Sequence, residues 1–213
     1  MLLPLFPLKT VLFPGALLPL HVFEPRYRQL LADVTAGDRR FGLLPPGLAA
    51  EPPDRGAVGC VAAVKAVMPL PEGRATIVVG GERRFRLREL IPASTPYLQG
   101  RAEWLDDLLD VQVPTEQDLE RLRDLGERYA RALHRLADQT LDVQLPEPAA
   151  ELSFEIASLL EWEFEARQRF LEIRSSTERV ERLLHALPVL VDHAEERALV
   201  HTQSAQNGRG KIL

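Results

Sequence analysis

Three lysines (Lys9, Lys65 and Lys211), six serines, five histidines and one cysteine are the side chains from which this 213-residue chain could assemble a nucleophile, a proton shuttle or a metal centre. Their spacings do not do so. A phosphate-binding loop needs a glycine-rich turn ending in Gly-Lys and then Ser or Thr, so that backbone amides and an ammonium surround the phosphates. The one Gly-Lys pair, Gly210-Lys211, is followed by Ile212, and no Gly-x-Gly-x-x-Gly fingerprint occurs. A Ser–Lys pair needs a serine on an exposed elbow beside a lysine of depressed pKa. Ser94, Ser153, Ser158, Ser175, Ser176 and Ser204 stand in cap, helix or tail contexts without such an elbow.

Metal chemistry fares no better. His193 and His201 lie eight residues apart, two helical turns, whereas one metal wants helical ligands about one turn apart. They read as solvated surface residues, and His21, inside an apolar run, as a hydrogen-bonded structural histidine. Glu103, Asp106, Asp107 and Asp110 offer oxygen ligands but lack the Asp-x-Asp spacing and glycine of a calcium loop. A solvated turn explains them. Arg83, Arg84, Arg86 and Arg88 could fork onto phosphate, yet Glu82 and Glu89 flank them and Phe85 is the only interleaved aromatic. No catalytic, cofactor or metal site is expected.

Composition narrows the classes further. Hydrophobic residues make up 46% of the chain and charged residues 27%, ordinary for a globular domain with a real core. Net charge is −5, which argues against life on a nucleic-acid backbone. The lone Cys60 excludes an internal disulfide and fits a cytoplasmic protein. The apolar stretch 1–20 is interrupted by Pro4, Pro7, Pro14, Gly15 and Pro19, so neither a signal peptide nor a membrane span is expected there.

The elements follow from punctuation and period. Residues 1–114 hold 14 of the 17 prolines and 10 of the 13 glycines. Both residue types bound strands and damage helix interiors. Short strands are predicted at 5–9, 11–13, 17–22, 41–44, 60–68, 74–79, 82–90 and 97–104. In 82–90 the alternation puts Arg84, Arg86 and Arg88 on a wet face. A helix begins at Pro25, with Tyr27, Leu30, Leu31 and Val34 on one side and Gly37 at its end. Past residue 114, Thr115 with Asp118 reads as a capping box opening a long helix with Leu119, Leu122, Leu125, Tyr129, Leu133 and Leu136 on one stripe. Further helices are marked by Leu152 to Leu160, by Phe164 to Leu171, and by Ser175 with Glu178, the last one kinked or broken at Pro188. The fold class is α+β: a small β-barrel of about six strands with one short helix over 1–114, a helical bundle over 115–200, and a flexible tail over 201–213.

Specific runs carry a resemblance. Leu3-Pro4-Leu5-Phe6-Pro7-Leu8, Val11-Leu12-Phe13-Pro14-Gly15 and Leu18-Pro19-Leu20-His21-Val22-Phe23-Glu24-Pro25-Arg26-Tyr27 resemble the opening of a LON domain, the N-terminal substrate-binding domain of ATP-dependent Lon proteases. Gly59-Cys60-Val61-Ala62, the Pro71-Glu72-Gly73-Arg74 turn and Val79 to Leu87 are similar to its middle strands. The resemblance covers residues 1 to about 195. It implies a PUA-like barrel and a helical bundle, and a role in recognising polypeptide without the ATPase or protease chemistry of the full protease. Glu24 to Tyr27 would then be a structural helix start.

The expected function is a non-enzymatic module that binds unfolded or damaged polypeptides, in company with a protease or chaperone or as a homo-oligomer. Such a receptor needs apolar walls on an accessible surface. Met68 and Leu70 in the predicted hairpin, and Trp162 and Phe164 between helices, are the candidate peptide-binding residues. A PUA-like nucleic-acid binder and a purely structural or oligomerisation module are the alternatives.

Overall fold

The computed structural model describes residues 1–47, 52–139 and 144–209. It contains β1 (Leu2–Pro7), β2 (Leu17–Val22), α1 (Pro25–Ala36), β3 (Arg40–Leu44), β4 (Val58–Pro69), β5 (Ala75–Ile91), β6 (Gln99–Trp104), α2 (Glu116–Leu136), α3 (Ala149–Leu159), α4 (Phe164–Glu172) and α5 (Ser176–Arg209). The contacts divide it into two compact units, residues 1–108 with 160–174 and residues 109–159 with 175–213.

The first unit closes a ring. The six strands run in the order β2-β5-β4-β3-β1-β6, and β5 also pairs with β6. β5, β4, β3, β1 and β6 therefore form a closed five-membered barrel, which removes the free edges a small sheet would otherwise expose. β1 and β3 are parallel and every other pair is antiparallel. Closure depends on the 17-residue β5, whose first half pairs with β2 and whose second half pairs with β6. Beyond the Arg40–Ala63 pair, β4 leaves β3. It then continues with β5 and β2 as a three-stranded extension of the barrel.

Two predicted strands, 74–79 and 82–90, are thus one strand that passes through Gly80-Gly81 without ending. A Cβ on Gly81 would lie 2.1 Å from the Phe13 carbonyl oxygen, so the position needs a residue without a side chain. The predicted strand at 11–13 is a buried connection instead. Val11, Leu12 and Phe13 are at most 2% exposed, and the Phe13 carbonyl accepts a turn hydrogen bond from Ala16. Inside the barrel, Leu3, Leu5, Leu44, Val61, Phe85, Leu87 and Ala102 form one apolar cluster. Cys60 is fully buried, and that burial pushes its thiol up to about 12, an inert packing group. In α1, Tyr27, Leu30 and Val34 face inward, as their spacing predicts, and Tyr27 stacks on Phe6 at 3.9 Å.

In the second unit, the amide of Asp118 donates to the Thr115 hydroxyl at 3.1 Å and the amide of Thr115 donates to the Asp118 carboxylate at 3.2 Å, completing the predicted capping box of α2. Leu122, Leu125 and Tyr129 are the buried stripe of α2. α5 is not broken by Pro188: its buried stripe of Leu183, Leu187, Val191, Ala194 and Ala198 passes straight across it, and packing outweighs the one missing amide. The helix runs on to Arg209, so the tail expected from residue 201 is helical to that point. Residues 210–213 lie outside the described residues. Arg179 is fully buried, donates to the Ser153 hydroxyl at 2.9 Å and lies 4.2 Å from the Phe154 ring.

Candidate functional site

Several of the residues singled out for chemistry serve structure. Ser153 and Ser158 return their hydroxyls to helix carbonyls three residues back. Lys9 lies over Phe164 and pairs with Glu165, and the stem of Lys65 covers Gly80. Among the described residues, no group of three or more His, Cys, Asp and Glu side chains is placed to hold a metal ion. The acidic cluster and the arginine run meet one another: Arg83 pairs with Asp106, Arg84 with Asp107 and Arg88 with Glu103. Glu82 and Glu89, which flank the run in sequence, pair instead with Arg40 and Arg101. Arg84 departs furthest from the predicted wet face. It is 4% exposed and donates to the carbonyls of Leu171 and Ile173 at 2.7 and 2.6 Å, which ties the chain after α4 to β5.

Asp110 has a different use. Its carboxylate accepts from the Thr177 amide at 3.0 Å and from the Ser176 and Thr177 hydroxyls at 3.0 and 3.1 Å, at the start of α5. A carboxylate suits the positive end of a helix. The hydroxyl of Ser175, then the Thr177 amide, hold its pKa well below the usual carboxylate range. Because the folded-state value is depressed, this contribution is complete above the unfolded value of about 4 and is lost as pH falls through the folded one. Wild-type melting temperature should therefore fall more steeply between about pH 5 and 3 than that of Asp110→Asn, which should melt lower at pH 7. Parallel pH curves for the two proteins would refute the charged clasp.

An accessible apolar surface of the first unit is the outer face of the three-stranded extension. Successive residues of β2 alternate, with Leu17, Pro19 and His21 outward and Leu20 and Val22 inward. In register beside them stand Gly80, Val78 and Thr76 of β5, then Ala66 and Met68 of β4. Leu17 is 67% exposed, Phe23 57%, Met68 49% and Leu70 39%. His21, read as a hydrogen-bonded structural histidine, is exposed on this face. It stacks on Phe23 at 5.8 Å and its Nδ1 lies 3.5 Å from the Thr76 hydroxyl. Among the described strands β2 pairs with β5 alone, so its outer edge is open, with Pro19 at its middle. Proline is tolerated on such an edge because its missing amide donor would face solvent.

Met68 and Leu70 are thus both exposed at one end of the extension, and Leu17 and Phe23, which the sequence reading did not single out, are exposed as well. A polar His21 two residues from Pro19 and from Phe23 is the signal that this alternate set faces outward. Trp162 and Phe164 lie elsewhere in the same unit. Trp162 meets Phe170 edge-on at 5.1 Å, Phe170 meets Phe13, and Phe164 sits beneath Lys9; both residues are half-buried. Phe13 abuts Gly81, five residues along β5 from Thr76, the partner of Met68, or about 17 Å at 3.3–3.4 Å per residue. The four candidate residues form two places on the unit.

The unit is thus a closed small barrel with an open-edged three-stranded extension, in which Arg83, Arg84 and Arg88 pair with nearby carboxylates. The chain belongs to the family of the ATP-dependent protease La (LON) substrate-binding domain, whose family model matches residues 2–188. It is 27% identical over 210 residues to the Lon protease of Cytophaga hutchinsonii, covering 94% of this chain and 26% of that protein. It is 33% identical over 161 residues to the Lon protease of Anaeromyxobacter dehalogenans, covering 70% and 17%. The chain thus spans about a quarter or less of the curated relatives it matches. Among solved structures, the Lon N-terminal domain protein from Xanthomonas campestris superposes with a TM-score of 0.65 at 26% identity, covering 88% of this chain and 99% of that one. The N-terminal domain of the Mycobacterium avium complex Lon protease, at 17% identity and a TM-score of 0.59, shares the fold.

Proposed function

We propose that this domain holds extended apolar segments of unfolded or damaged polypeptides on the outer face of β2, β5 and β4, and performs no chemistry on them. The observation that carries the reading is the exposure of Leu17 and Met68 on one sheet face, together with Phe23 and Leu70, the exposed residues that directly follow β2 and β4. Scattered apolar side chains on an extended chain find matching contacts there without demanding a sequence. Trp162 and Phe164 belong to the proposed set with a smaller share, since each already packs within its own unit. Delivery to a protease or chaperone suits a module of this kind, as does assembly with further copies. No described helix is long and apolar enough to cross a membrane, and a buried free thiol suits the cytoplasm. The pairing of Arg83, Arg84 and Arg88 with carboxylates leaves nucleic acid little to bind.

A permanently unfolded, reduced and carboxymethylated protein, labelled for anisotropy, is the probe. The double variant Phe23→Ser/Met68→Ser should raise its Kd at least tenfold, about 1.4 kcal/mol, with little dependence on salt. Trp162→Ala/Phe164→Ala should raise it two- to threefold. Wild-type affinity in the first variant would end the assignment, and hydrolysis of casein or ATP by the purified chain would end the non-enzymatic reading.

A further inference from the structure

The second unit carries a surface of a different character. At its start, the chain from Leu109 to Val113 runs along the beginning of α5, and the Asp110 carboxylate and the Gln112 backbone carbonyl are turned to that helix. Asp110 accepts from Ser176 and Thr177, and the Gln112 carbonyl accepts from the Thr177 hydroxyl at 2.7 Å. The alternate residues are left in solvent: Leu109 is 100% exposed, Val111 103% and Val113 75%. An apolar side chain at every second position is the pattern of a strand that would bury one face. Beside it opens a groove of about 510 Å3, whose apolar lining is Val113, Pro114, Val180 and Leu184. The charged groups of that lining are Asp118 and Glu181, and it contains no cationic side chain. The volume falls within the ~300–1,000 Å3 of sites that bury small ligands, room for a few side chains rather than a folded partner.

We infer that this groove and the exposed 109–113 stripe bind an extended polypeptide segment in which apolar side chains alternate with lysine or arginine. The stripe and the groove floor take the apolar side chains, and Asp118 and Glu181 at the rim take the cations. The same rim repels acidic peptides and phosphate backbones, so charge complementarity selects the occupant. This surface is separate from the outer face of β2, β5 and β4, and the two are distinguishable by charge preference.

Three fluorescein-labelled peptides test it, each alternating leucine with arginine, serine or glutamate, titrated against the full chain at low salt. The arginine peptide should bind at least threefold more tightly than the serine peptide, with the glutamate peptide weakest. Glu181→Arg should weaken the arginine peptide at least threefold and strengthen the glutamate peptide. Val111→Ser/Val113→Ser should weaken all three, and Phe23→Ser/Met68→Ser should leave the arginine peptide within twofold of wild type. Amide shifts on binding should fall in 109–118 and 177–184. Equal affinities for the three peptides, indifference to Glu181→Arg, loss of arginine-peptide binding in the β2–β4 variant, or shifts confined to the first unit would each overturn the inference.

Discussion

Arg84→Met should lower the unfolding free energy by about 3–5 kcal/mol, read from the midpoint of a urea titration at constant slope. The guanidinium is 4% exposed and divides its donors between the Leu171 and Ile173 carbonyls and the Asp107 carboxylate. Methionine fills much of the volume but removes the guanidinium donors to two carbonyls and a carboxylate, and losing the donor to a buried acceptor costs about 1–3 kcal/mol. Arg84→Lys should recover less than half of the loss, because a single ammonium cannot reproduce a planar fork aimed at three acceptors. A methionine variant within about 1 kcal/mol of wild type would mean that the chain after α4 is held by its apolar contacts alone.

Gly59→Ala should cost about 3 kcal/mol, the upper end of the range for overpacking a core. A methyl group there would stand 2.3 Å from the Leu43 carbonyl oxygen, 2.7 Å from the tip of the Phe85 ring and 2.8 Å from Leu44. The first neighbour is backbone in the adjoining strand and cannot rotate away. A methyl group on Gly42, in the neighbouring strand β3, would likewise stand 2.7 Å from the tip of that ring. The tip of the Phe85 ring occupies the space that side chains at Gly42 and Gly59 would fill. A Gly59→Ala unfolding free energy within about 0.5 kcal/mol of wild type would refute the packing account.

Much of the architecture was legible residue by residue. The capping box at Thr115 and Asp118, the proline at the start of α1, the stripes of α1 and α2, and the strand at 17–22 were all readable from neighbours a few positions apart. The LON-type runs at Leu3–Leu8 and Leu18–Tyr27 pointed to the family that the chain proves to share. The candidate surface was half legible. The hairpin residues Met68 and Leu70 were visible as apolar side chains in a turn region, but Leu17 and Phe23 were hidden, because an apolar run reads the same whether one of its faces is covered or open.

What the amino-acid order determined by itself is therefore local: where helices start, which strands punctuate, which class of fold and family results, and that no phosphate loop is written into it. What only the tertiary structure decided involves residues far apart in the chain. Arg84 is a buried tie because carbonyls 87 and 89 positions later come to it. Arg83, Arg84 and Arg88 of β5 pair with acids some 15 to 23 positions on rather than with adjacent glutamates. The segment 160–174 lies in the unit with the barrel although helices flank it on both sides. Hydrophobic period and capping act over a single turn or pleat, whereas burial of a charge or exposure of a strand face depends on which distant segment returns to cover it.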